Sequence, residues 1–180
     1  MNANYIKEKL QDDFKVLYTG ETGRVAHELI LDCSVFKKTT GITEEDVAKR
    51  LMDFGFHAPT MSWPVAGGLM IEPTESEDKL EIDRFIDALK IIRREIAEIE
   101  EGKVDKENNV LKNSPHTLRT CMSDTWEHPY SREKAGFPAK WIHLRGKVWP
   151  SVGRIDQAYG DRNLVCTCPS IQEYFDTKDV

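Results

Sequence analysis

The chain has 180 residues, of which 39% are hydrophobic and 31% charged, and its 25 basic and 31 acidic side chains leave a formal charge of −6. That apolar fraction excludes a disordered chain, and no apolar run approaches the roughly 20 residues of a membrane-spanning helix. The acidic balance argues against a general nucleic-acid binder, which carries a basic excess.

Residues 2–13 read as a helix with Tyr5, Ile6, Leu10 and Phe14 near one face. A helix that begins almost at the first residue fits a piece of a larger chain and equally a domain that starts abruptly. Lys15–Thr19 reads as a short strand, and Gly20 and Gly23 bracket a turn. Ala26–Asp32 alternates with apolar residues on both sides, as a central strand does. Thr43 is a helix cap followed by Glu44, Glu45 and Asp46, where the helix dipole favours acids. Val47, Ala48, Leu51 and Met52 form the stripe of that helix, and Gly55 fits its stop. Phe56–Thr60 reads as extended, and Pro64, Gly67 and Gly68 as a turn before a strand at Leu69–Glu72. Thr74 and Glu77 match a capping box. Behind it Phe85, Leu89, Ile92, Ile96 and Ile99 are spaced four, three, four and three apart in a helix that ends at Gly102.

After Lys103 the periodicity fades, and prolines recur among Trp126, Tyr130, Phe137, Trp141, Trp149 and Tyr159. The charge divides in the same way. Residues 1–113 hold 16 basic and 23 acidic side chains, and residues 114–180 hold 9 and 8. The reading is an α+β domain over 1–113, a small sheet with packed helices. Residues 114–180 are expected to form an extended aromatic and Pro-rich tail, packed on that domain or on a large domain outside the chain.

The loop 55–64 is the most site-like stretch, since His57, Thr60, Ser62 and Trp63 sit between prolines that fix the backbone. The alternative is a structural loop with His57 hydrogen-bonded in place. His27 and Glu28 are adjacent in a strand and face opposite sides, so they form no acid–base pair. Cys33, Cys121, Cys166 and Cys168 lack the spacing of a zinc site or a disulfide scaffold, and no metal site is expected. The residues by themselves assemble no complete catalytic set.

Several stretches taken in order carry a resemblance. They are Gly55-Phe56-His57-Ala58-Pro59-Thr60-Met61-Ser62-Trp63-Pro64, Leu69-Met70-Ile71-Glu72-Pro73, Pro129-Tyr130-Ser131-Arg132-Glu133, and Tyr159-Gly160-Asp161-Arg162-Asn163-Leu164-Val165-Cys166. Together they closely resemble the carboxyl-terminal region of the glycine dehydrogenase (decarboxylating) family, the P-proteins of the glycine cleavage system. The resemblance covers essentially the whole chain. It implies the small domain of a fold-type I pyridoxal-phosphate enzyme that decarboxylates glycine. The aminomethyl group would pass to the lipoyl arm of the H-protein. It also implies a homodimer and, from eukaryotic members, a mitochondrial location. The family's cofactor lysine lies upstream in a glycine-rich segment. No lysine here has that context, and Lys37 and Lys38 read as surface residues. The chain is thus expected to complete the cleft, without a catalytic residue of its own and inactive alone. His57, Thr60 and Ser62 are its cleft residues and Cys166 a redox candidate that would close the tail. The rival is a non-catalytic interaction module derived from the same domain.

Overall fold

The computed structural model describes residues 1–165 and 170–172. Helix α1 (Asn2–Leu10) leads into β1 (Lys15–Leu17), β2 (Leu29–Asp32), α2 (Ser34–Thr40), α3 (Glu44–Asp53), β3 (Thr60–Met61), β4 (Gly68–Ile71) and the long α4 (Lys79–Glu100). Four shorter helices follow: α5 (Leu118–Met122), α6 (Arg132–Gly136), α7 (Lys140–Arg145) and α8 (Gln157–Arg162). The fold is α+β, as the sequence implies.

The strands form one antiparallel sheet in the order β1-β2-β4-β3. Strand β2 is central, and Leu29, Ile30 and Leu31 are all buried, which is why its two sides both carry apolar residues. Leu31 pairs with Val16 on one side and Leu69 on the other. Helix α1 packs on β2, and α3 on β3 and β4. Helix α4 takes α1, α2 and α3 against its length. At 22 residues it runs about 33 Å. It buries Ile82, Ile86, Leu89, Ile92, Ile96 and Ile99. Phe85 lies at the edge of that stripe, half-buried, edge-on to Phe56 at 5.3 Å.

Several local expectations change. Strand β2 begins at Leu29, so His27 and Glu28 precede it, and the His27 ring lies 4.0 Å from the Glu28 carboxylate and 3.9 Å from that of Glu72. The cap of α4 is Asp78, whose carboxylate accepts from the Glu81 amide at 2.8 Å. Thr74 instead meets the Ser76 hydroxyl at 3.1 Å within the preceding turn. The four-residue cap spacing occurs twice, at 74–77 and at 78–81, and the second leads in phase into Ile82. Helix α2 stands directly after β2, where Asp32 accepts from both the amide and the hydroxyl of Ser34 at 3.0 and 2.6 Å. The expected cap of α3 is present as a full capping box between Thr43 and Asp46.

The stretch after α4 is held by its polar and aromatic groups. Asn109 is fully buried, and its amide bridges four main-chain groups between Asp105 and Lys112. That brace delivers Val110 and Leu111 to the core. The Trp126 indole donates to the Tyr130 carbonyl, and that of Trp141 to Asp87 at 2.8 Å. A Cβ on Gly136 would stand 2.9 Å from the Trp149 ring, so this helix end must be glycine for the indole to lie on it. From residue 155 to 165 every residue is exposed. No helix among the described residues is long and apolar enough to cross a membrane.

Candidate functional site

The loop 55–64 leaves α3 and enters the β3–β4 hairpin. His57 and Thr60 line one groove of about 490 Å³ with Phe56, Glu72, Glu77 and Glu81. The His57 ring is exposed, and no hydrogen bond or ion pair holds it among the described residues. The three carboxylates make this groove a poor seat for a phosphate or a carboxylate. Ser62 is turned away from it. Its hydroxyl donates to Glu44 at 2.6 Å, and its amide donates to the Gly68 carbonyl at 2.8 Å. The structure thus brings His57 and Thr60 together and places Ser62 with the first turn of α3. Ser62 holds φ 56°, a left-handed conformation that costs of order 1 kcal/mol for a residue with a side chain.

A second constellation was not anticipated by the motif reading. Arg50 is fully buried and grips Glu95 with two hydrogen bonds, Nε at 3.0 Å and Nη2 at 2.7 Å. Its Nη1 donates to Asp53 at 2.9 Å, and the guanidinium also reaches the carbonyls of Lys134 and Ala135. Asp53 in turn accepts from the His116 amide at 2.7 Å and from the Ser114 hydroxyl at 3.0 Å. The His116 ring bridges Asp53 and Tyr130, at 2.8 Å on each side.

Burial alone would drive Asp53 toward its neutral form. The His116 hydrogen bond and the Arg50 charge outweigh it and hold the carboxyl below its usual range. Burial likewise opposes the Arg50 charge, and Glu95 and Asp53 overcome it and raise the guanidinium further. Burial pushes the Tyr130 phenol up, so its O–H persists at 2.8 Å from His116 Nε2. The ionised Asp53 carboxylate can only accept, so His116 Nδ1 carries the hydrogen between them. Every polar atom of this cluster is committed to a neighbour, and it joins α3, α4, α6 and the chain at 114–116. Its chemistry is that of a junction. The sequence did hold one signal for it. Val47, Arg50, Leu51 and Phe54 share one face of α3, and Glu95 falls between Ile92 and Ile96 on the buried face of α4.

Lys147 approaches the same junction. Its ammonium donates to the Asp53 main-chain carbonyl at the C-terminal end of α3 and lies 5.0 Å over the Trp149 ring. Burial is the main cause that brings it down to about 8. A wider, shallow depression of about 700 Å³ is lined by Arg119, Ser123, Thr125, Trp126 and His128. Neither depression contains a lysine. Lys147, the lysine beside the buried junction, is spent on a carbonyl, with no glycine-rich cradle around it. The residues present do not fit a pyridoxal phosphate bound within this chain. Cys33 and Cys121 are buried free thiols, and burial raises Cys33 to about 12. Cys166 lies outside the described residues. Among the described residues, no three His, Cys, Asp or Glu side chains cluster as metal ligands.

Comparison with known proteins carries the assignment further. The family model described as glycine dehydrogenase, C-terminal domain, matches residues 1–116. The glycine dehydrogenase (decarboxylating) of Bdellovibrio bacteriovorus is 63% identical over 175 residues, which is 97% of this chain and 18% of the relative. That of Nostoc punctiforme is 60% identical over 174 residues, with the same two shares. The mitochondrial enzyme of Dictyostelium discoideum is 58% identical over 174 residues, 97% of this chain and 17% of its own length. The chain therefore spans less than a fifth of the curated relatives it matches. With a match over residues 1–116 and that identity along nearly all of its length, the chain belongs to the glycine dehydrogenase C-terminal domain family.

Proposed function

We infer that the chain acts as the C-terminal domain of a glycine dehydrogenase (decarboxylating), where it completes the cleft of a catalytic domain that this chain does not contain. The observation that carries this is the 63% identity across 97% of the chain. In that reading pyridoxal phosphate is held on a lysine outside this chain, and the lipoyl arm of an H-protein receives the aminomethyl group. The enzyme works as a homodimer. A mitochondrial site belongs to this reading for a eukaryotic host; relatives from Dictyostelium discoideum and Gallus gallus bear that word in their names, and most of the other similar relatives are bacterial.

His57 and Thr60 would line the approach to the cleft, and Ser62 would hold the hairpin that carries them. Exposed apolar side chains support a large covering surface. Leu144, Val148, Val152, Ile155, Tyr159, Leu164 and Val165 are each at least half exposed. They supply the apolar surface that a neighbouring domain would bury.

The test is a chimera. This chain replaces the matching C-terminal segment of the Bdellovibrio bacteriovorus relative, with a deletion of that segment as control. Decarboxylation of glycine should be lost in the deletion and restored in the chimera. A chimera that folds and loads its cofactor yet stays inactive would overturn the reading.

A further inference from the structure

The groove beside the loop 55–64 has an apolar lining that the chain itself leaves partly uncovered. Phe56, Met70 and Phe85 are half-buried in it, next to the buried Ile82. Its volume of about 490 Å³ and its aromatic lining suit a binding groove. The rim is acidic. Glu81 is already met by Arg84 and by Arg145, the latter at 3.7 Å. Glu72 and Glu77 are exposed. Among the described residues, Glu72 meets only the exposed His27 ring, at 3.9 Å, and no lysine or arginine pairs with either carboxylate.

The groove continues beyond its own walls. Phe56 lies edge-on to Trp141 of α7, with ring centroids 6.2 Å apart. Residues 147–154 form a strap along α3, fastened by Lys147 at the Asp53 carbonyl and by Arg154 at Asp46, 3.0 Å away. The strap sets Val148 against Gly55, which lines the groove. Val148 and Leu144 are exposed, so the apolar lining runs on into the surface that a neighbouring domain would bury.

We propose that this groove is the docking site for a segment of the catalytic domain outside this chain, one that carries lysine or arginine beside an apolar side chain. This rests on the reading given under the proposed function, and adds which face meets that domain and by what chemistry. The cation meets Glu72 and Glu77, and the apolar side chain lies on Phe56 and Phe85. Three observations choose this occupant. The chain spans less than a fifth of its relatives, so a large polypeptide is held close to the groove by covalent connection. The rim attracts cations and repels anions. One apolar surface joins the groove to Leu144 and Val148. Exposed ion pairs add little affinity and serve to fix register, while the apolar floor supplies the burial.

The experiment compares hydrogen–deuterium exchange of residues 56–61 in the chimera described above and in the 180-residue chain alone. Amides there should exchange at least about tenfold more slowly in the chimera. Glu72→Lys combined with Glu77→Lys in the chimera should return them to the rate of the chain alone. Both positions are exposed, so the core is not disturbed. Glu75→Lys, at a residue that does not line the groove, should leave the protection in place. Equal exchange in chimera and chain would overturn the proposal, because nothing then covers the groove. Protection that survives the double reversal also overturns it, since the occupant is then not a cation. So does protection that grows with the concentration of the chain alone, since the occupant is then a second copy. Glycine decarboxylation by the same chimera separates the two claims. An active chimera with an unprotected groove defeats only the docking. A folded, inactive chimera with a protected groove defeats only the enzyme reading.

Discussion

Arg50 and its two carboxylates show what one buried charge demands. Arg50→Ala would leave Glu95 and Asp53 without their cation in a site closed to water, at a cost of about 3–5 kcal/mol. Arg50→Lys should recover little of it, because one ammonium cannot span both Glu95 oxygens. A denaturant midpoint for each variant checks both statements. The junction also has a pH signature. The Asp53 pKa is depressed by folding, so its stabilisation is present above about pH 4 and is lost as pH falls through its lower folded value. For Lys147 the window lies on the basic side. Its folded value is about 8 and an unfolded lysine titrates near 10.4, so between them the unfolded chain binds more protons. Stability relative to Lys147→Met should therefore rise with pH from about 8 to about 10. A difference that stays flat across that window would sink the assignment. The phase of Arg50 and Glu95 on two core-facing stripes was legible in the sequence. Their link to His116 was not, because Asp53 and His116 stand 63 residues apart and only the fold brings them together.

At the scale of elements, the long helix α4 was the most legible part, since its apolar spacing is regular over five turns. Leu89 is fully buried on it, and Leu89→Ala should cost about 2–5 kcal/mol. Its start was harder to place, and two substitutions separate the rival caps. Asp78→Ala removes the acceptor of the Glu81 amide and should cost about 1 kcal/mol. Thr74→Ala touches only the turn before the helix and should stay within about 0.5 kcal/mol. Equal losses from both would restore the earlier box. Helix α2 escaped notice because its seven residues, rich in β-branched side chains, hold too few turns for a period to appear. The loop bearing His57, Thr60 and Ser62 was legible as a place but not as a geometry. The left-handed turn at Ser62 and its bond to Glu44 decide which side chains face the groove.

Across the whole molecule, periodicity faded after Lys103 because α5, α6 and α7 have only five or six residues each. Their packing depends on close approaches that composition does not reveal. Gly136→Ala would drive a methyl group into the Trp149 ring at 2.9 Å and should cost about 1–3 kcal/mol. Thermal unfolding measures that loss, and tryptophan emission should shift as the ring lifts. The strap over α3 has a further consequence, one of time. Its fasteners join residues 94 and 108 positions apart, so α3 leaves the ribosome long before Lys147 and Arg154 are made. At synthesis rates of about 5–20 residues per second, that helix waits on the order of 5–20 s for its cover. Nascent chains stalled at residue 145 should therefore be cut by protease within α3, and chains extended past Arg154 should resist.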